Sequence, residues 1–262
     1  MINYIKIPRE IIYDTSLTLN RAIIFSYLSA RRSLDDTVAF STEELCRWSN
    51  RKSSSRPGSV NQKYSELLLE LSKRNYFTEY PDFAIKERDI ITRYQKVRLN
   101  TRKFDVADNF GVVYFDELDK ITNFKENLRD IDIDTSRTYA SYILLLLSYI
   151  RCNLNYSENN PRCCFRLYKT ISDDIGLSEE YVSRIVKILE ALEIIHCKPM
   201  KRILLKDKTF LTTPKIFTDY RRFCLDAYGN QILDHEYDSS FEIQKQINHL
   251  EAQQRGNLKC KN

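Results

Sequence analysis

Two short runs concentrate positive charge: Arg51 and Lys52 with Arg56, and Lys198 with Lys201 and Arg202. Guanidinium and ammonium groups clustered in this way suit phosphate oxygens, which need local positive charge rather than a basic total. Beside each run stands a segment able to meet base edges. Ser59, Asn61, Gln62 and Lys63 follow the first, and Tyr181, Ser183, Arg184 and Lys187 precede the second. Arginine can grip guanine in bidentate fashion, and Asn or Gln can do the same for adenine. Ser183 and Arg184 are therefore the candidate base readers of the second segment, with Tyr181 and Lys187 reaching phosphates. In the first segment Asn61 and Gln62 suit an AT-rich site, while Arg51, Lys52 and Arg56 hold the backbone. Glu179 and Glu180 are explained as partners of a helix N-terminus. Lys86, Arg88 and Arg93 are candidates for the same work as the 198–202 run. The plain alternative for a lone Lys or Arg is a solvated charge, and clustering is what singles out 51–56 and 198–202.

Other chemistries find little support. Seven cysteines (46, 152, 163, 164, 197, 224 and 260) include no CxxC pair, and the three histidines are His196, His235 and His249. Cys163-Cys164 and His196-Cys197 are adjacent, a poor spacing for chelating one metal. Reduced thiols in a cytoplasmic protein are the reading that remains. Residues 111–120 look like a Walker B strand running into Asp116-Glu117, but the chain has no GxxxxGK[ST] loop to cradle a phosphate. Residues 130–134 alternate Asp and Ile without the glycine and terminal glutamate of a calcium loop. Seventeen tyrosines stand without the His-rich cluster that a nicking enzyme would need. No enzyme, cofactor or metal site is expected. No apolar run approaches the ~20 residues of a membrane span, and the first residues carry no secretory pattern, so a cytoplasmic location is expected.

The 262 residues suit two modules of about 100–130 each, and charge divides them. Residues 1–103 carry 19 Lys/Arg against 12 Asp/Glu, and residues 104–134 carry 3 against 9. Residues 135–222 carry 15 against 9, and residues 223–262 carry 4 against 6. Two basic blocks are thus joined by an acidic connector, itself a possible strand or helix between them, and followed by a mildly acidic tail.

The same order of elements is predicted in both blocks. In the first, residues 19–30 have helical spacing, and Ser41 with Glu44 makes a capping box for a short helix over 42–48. A polar turn leads to Ser59, which caps a longer helix to about residue 74. Strand-like runs follow at 76–80 and 94–99. In the second, an apolar helix spans 139–151 and a short one spans 167–175, ending at Gly176. Ser178 then caps a third helix with Val182, Ile185, Val186, Leu189 and Leu192 as its buried stripe. Strands at 194–197 and 203–205 flank the basic turn 198–202, and 209–212 can add to them. Residues 215–224 read as a helix and 240–251 as a second in the helical tail 223–262; they close the second module or, alternatively, serve a dimer or partner contact. The fold class is mainly α with small β-hairpins (α+β). Helix, short helix, turn, longer helix and hairpin, twice over, is the plan of two winged helix-turn-helix domains in tandem, with the third helix free to enter a major groove.

Residues 171–195, ISDDIGLSEEYVSRIVKILEALEII, resemble the core of a winged helix, with Glu193 standing where a glycine is usual. The opening Tyr4-Ile5-Lys6-Ile7-Pro8, the helix after it and the capped helix at Ser41 are similar to the first winged helix of bacterial plasmid and phage replication proteins. Those include tandem winged-helix initiators and replisome organisers. Together the two stretches take in most of residues 1–222. The resemblance implies origin double-stranded DNA as ligand and, in initiators, a dimer–monomer switch and contacts with a replicative helicase or its loader. A transcription regulator of the same fold is the alternative reading, and a protein-interaction module, without salt-dependent DNA affinity, is a third.

Overall fold

In a computed structural model the chain is described over residues 4–54, 56–79, 94–106, 108–154 and 164–199, and in short strands at 203–204, 210–211, 215–219, 222–225 and 231–234. It is a mixture of helices and small antiparallel sheets. Among the described residues no helix is long and apolar enough to cross a membrane.

Strand β1 (Tyr4–Pro8) leads into α1 (Arg9–Tyr13) and then α2 (Arg21–Ala30). Every residue of α2 from Arg21 to Leu28 is buried, as befits a helix enclosed on all sides. Next come β2 (Thr37–Phe40), α3 (Thr42–Trp48), α4 (Val60–Lys73), β3 (Phe77–Glu79) and β4 (Gln95–Leu99). Ser41 starts α3 by accepting the Glu44 amide at 3.2 Å. The Glu44 carboxylate accepts the hydroxyls of Tyr27 and Tyr94, each at 2.6 Å, tying α3 to α2 and to the foot of β4.

After α5 (Thr101–Phe104), β5 (Phe110–Tyr114), α6 (Phe115–Thr122) and α7 (Phe124–Asn127) come α8 (Ala140–Cys152), β6 (Cys164–Arg166), α9 (Tyr168–Ile175) and α10 (Glu179–Ala191). The remaining strands are β7 (Ile195–Pro199), β8 (Ile203–Leu204), β9 (Phe210–Leu211), β10 (Lys215–Asp219), β11 (Arg222–Leu225) and β12 (Gln231–Asp234). Gly176, with φ at +78°, closes α9 in the left-handed conformation, and Ser178 accepts the Tyr181 amide to open α10.

The chain traces one path twice. In the first half it runs α2, β2, α3, α4, β3, β4, with sheet order β2-β4-β3. In the second half it runs α8, β6, α9, α10, β7 and, after the inserted β8–β9 hairpin, β10, with sheet order β6-β10-β7. Each time the last strand takes the centre of a three-stranded sheet. The residue linking the long helix to its next strand also repeats its backbone: Asn75 has φ +60° after α4, and Glu193 has φ +56° after α10. The glycine missing at 193 is thus missing from a place that calls for one.

The two halves share a core. β1 pairs with β5 from Tyr4↔Tyr114 to Pro8↔Phe110, and β5 lies against α8. The helices α2 and α8 pack on each other, and buried residues from Ile5 to Phe217 form one cluster. Arg21 adds a polar tie: its guanidinium donates to the carbonyls of Ile11 and Ile12 in the first half and, at 2.8 Å, to Ile175 in the second.

The 104–134 stretch holds β5, α6 and α7, and its Val113, Leu118, Ile121, Phe124 and Leu128 are buried in the common core. Two expectations are corrected. The strand at 195–199 does not pair with 203–205. It pairs with β10, and β8 forms a separate small hairpin with β9. Finally, 215–224 is not a helix, since β10 is hydrogen-bonded on both sides, to β6 and β7, and β11 pairs with β12. Phe217 is fully buried there, and a central strand position satisfies its backbone groups on both edges. The tail helix at 240–251 lies outside the described residues.

Candidate nucleic-acid interface

The turn between α3 and α4 is built around a side chain expected to face outward. Asn61 is 1% exposed. Its Oδ1 accepts the Ser54 amide at 2.7 Å, and its Nδ2 donates to Thr42 Oγ1 and Ser53 Oγ, each at 3.0 Å. These bonds fold the turn and leave Asn61 no reach to a base, so it is withdrawn from the readers. Ser59 holds the N-cap position of α4, but its hydroxyl donates to the Ser54 carbonyl at 2.7 Å and makes no cap bond. Gln62 accepts the Gly58 amide at 2.7 Å and donates to Glu66 at 2.8 Å, so its amide is engaged within the helix start. Lys52, Arg56 and Lys63 are exposed. Around the start of α4, then, three cations stand in solvent on a turn pinned from beneath.

Arg51 behaves differently from its neighbours. Its guanidinium lies 3.7 Å from the ring centroid of Tyr139, at the N-cap of α8. Tyr139 stands edge-on to Tyr142 at 5.3 Å, and Tyr142 edge-on to Tyr181 of α10 at 5.9 Å. The Arg184 guanidinium is 5.5 Å from the Tyr181 ring. An aromatic ladder with an arginine at each end therefore joins the turn before α4 to α10. Tyr139–Tyr142 and Tyr181–Arg184 are helical i,i+3 neighbours, but the contacts that join the pieces, Arg51–Tyr139 and Tyr142–Tyr181, have no signature in sequence spacing, and Tyr139 and Tyr142 were not among the expected residues.

On α10, Arg184 is bound rather than free. It pairs with Glu180 at 2.9 Å and Asp134 at 3.3 Å and donates to the Ser136 carbonyl at 2.9 Å. Its side chain is 18% exposed, so the expected base reader is spent on the chain itself. Ser183 is half-buried. Lys187 is exposed, as are Glu179 and Glu180 at the helix start. Lys198 lies on β7, while Lys201, Arg202, Lys86, Arg88 and Arg93 fall outside the described residues. The exposed charge around α4 is thus dominated by cations and that around α10 is mixed.

Two of the described thiols are held protonated. Burial pushes the Cys46 thiol up to about 11, and burial with the nearby Glu190 carboxylate pushes Cys197 up to about 12. Both keep their protons at neutral pH and are poor nucleophiles.

No family model, curated protein or solved structure matches the chain.

Proposed function

We propose that the protein binds double-stranded DNA through two winged-helix units, with α4 and α10 as the reading helices. The observation that carries this reading is the repeated order of helix, strand and two helices, each closed by a three-stranded sheet whose last strand is central, joined to the cationic start of α4. The long helix of such a unit enters a major groove, and the preceding turn holds the backbone. Lys52 and Arg56 meet phosphates, Lys63 and Lys187 lie on the groove-facing helices, and Asn61 keeps the turn in shape. Because the halves share a core, both helices reach DNA at one fixed separation.

The role that fits the resemblance of the opening block is initiation of replication or organisation of a replisome on a plasmid, phage or other mobile element. A second copy and a helicase or its loader are the partners that role calls for, in the cytoplasm.

The test is selection of bound duplexes from a random pool, followed by affinities of the winners at several salt concentrations. A two-part motif with one fixed spacing and a steep salt slope is expected. In Lys52→Ala/Arg56→Ala the slope should flatten by about two, near 0.9 for each phosphate no longer neutralised, with the motif unchanged. Failure to enrich any motif, with affinity indifferent to salt, would refute the reading.

A further inference from the structure

The two arginines at the ends of the ladder hold the same piece of chain. From the first half, Arg51 stacks on Tyr139; from the second, Arg184 grips Asp134 and the Ser136 carbonyl. The segment is coiled to meet them. Asp134 accepts the Ser136 amide at 2.8 Å, and Arg137 takes a left-handed φ of +54°. Its outer side is open to water: the Asp134 side chain is 57% exposed, and Asp130 and Asp132 before it are exposed too.

A carboxylate on a guanidinium fills the place that a phosphate oxygen takes in a DNA complex. Asp134 is the exposed partner, at 3.3 Å from a guanidinium that keeps Glu180 of its own helix at 2.9 Å, so its bond is weak and exchanges readily. The geometry points to the 130–136 segment as a displaceable occupant of a backbone-phosphate site at Arg184, a strap that α10 must shed before its unit engages duplex DNA. This inference rests on the DNA-binding reading above and adds its regulation. Lys52, Arg56 and Lys63 are uncovered and make the first contact. The second unit follows when a phosphate takes the place of Asp134 and the strap, with its three aspartates, moves off the incoming backbone.

The test is a double-mutant cycle on affinity for a short random-sequence duplex at low salt. Asp134→Asn should bind about two- to fivefold tighter than the natural protein. In an Arg184→Gln background the same substitution should give no gain, because the site it uncovers is gone. Glu126→Gln, the same change of charge at an exposed carboxylate of α7, controls for the general effect of removing a negative charge. A gain that persists with Arg184→Gln, or that Glu126→Gln matches, or no gain at all, overturns the strap and leaves the DNA reading standing. If neither the natural protein nor Asp134→Asn binds the duplex, the DNA reading falls and the strap with it.

Discussion

The backbones of Gly111 on β5 and Ser148 on α8 are packed so closely that a β-carbon on Gly111 would stand 2.7 Å from the Ser148 α-carbon and closer still to its carbonyl oxygen. Neither partner can yield, since both are main chain inside the core. This contact locks the β1–β5 ribbon onto the first helix of the second half. Gly111→Ala should therefore destabilise the fold by roughly 1–3 kcal/mol, the cost of overpacking, read as a lower denaturant midpoint. A midpoint unchanged from the natural protein would mean that β5 does not seat on α8 in this way.

Asn61 makes a second prediction, opposite to the one its residue type suggests. Truncating it removes the acceptor of the Ser54 amide and the bonds that tie this turn to Thr42 and Ser53, at a cost of about 1–3 kcal/mol. Asn61→Ala should lower stability and weaken DNA binding alike for every sequence, because the turn carrying Lys52 and Arg56 loosens. A selected motif that changed at one base position would instead restore Asn61 as a reader.

Arg151 is buried between two carboxylates. It donates to both oxygens of Glu117, at 2.6 and 2.7 Å, to Asp219 at 2.7 Å and to the Val112 carbonyl at 3.0 Å. Burial works against its charge, but Asp219 and Glu117 more than offset this and hold its proton more tightly than usual. The cluster joins β5, α6, α8 and β10 at one point. Arg151→Leu strands Glu117, which is 2% exposed, and should cost about 3–5 kcal/mol. Restoring most of that stability with Glu117→Gln in the same chain would identify the stranded charge as the cause; no recovery would assign it to poorer packing.

Glu193 is a position where the natural residue is not the best one. Its φ of +56° suits glycine, and its counterpart Asn75 at +60° is of a type that tolerates this region. Glu193→Gly should stabilise the protein by about 0.5–1 kcal/mol, strain relief outweighing the added freedom of the unfolded chain. Calorimetry at one pH should show a raised Tm, whereas a lowered Tm would mean that the Glu193 side chain makes a stabilising contact of its own.

Whatever a stretch of ten or fifteen residues can settle was legible in the sequence. The caps at Ser41 and Ser178, the stop at Gly176, the short helix at Thr42–Trp48 and the buried stripe of α10 all follow from local hydrogen bonds and helical period, and the structure has them at those residues. The departure at Glu193 came into view through the resemblance to a winged helix rather than through local pattern. Everything that depends on which distant segment arrives was left to the tertiary structure. Local pattern pairs β7 with 203–205 and makes 215–224 a helix; only the need for a central strand between β6 and β7 turns 215–219 into the partner of both. Asn61 and Arg184 have the residue types of base readers, yet one is folded under its own turn and the other bound to Asp134, because burial and ion pairing are properties of neighbours in space. The union of the two halves through β1, β5, α2 and α8 was hidden for the same reason. Strand pairing and helix packing across such separations leave no period in either partner, and only the shared core selects them.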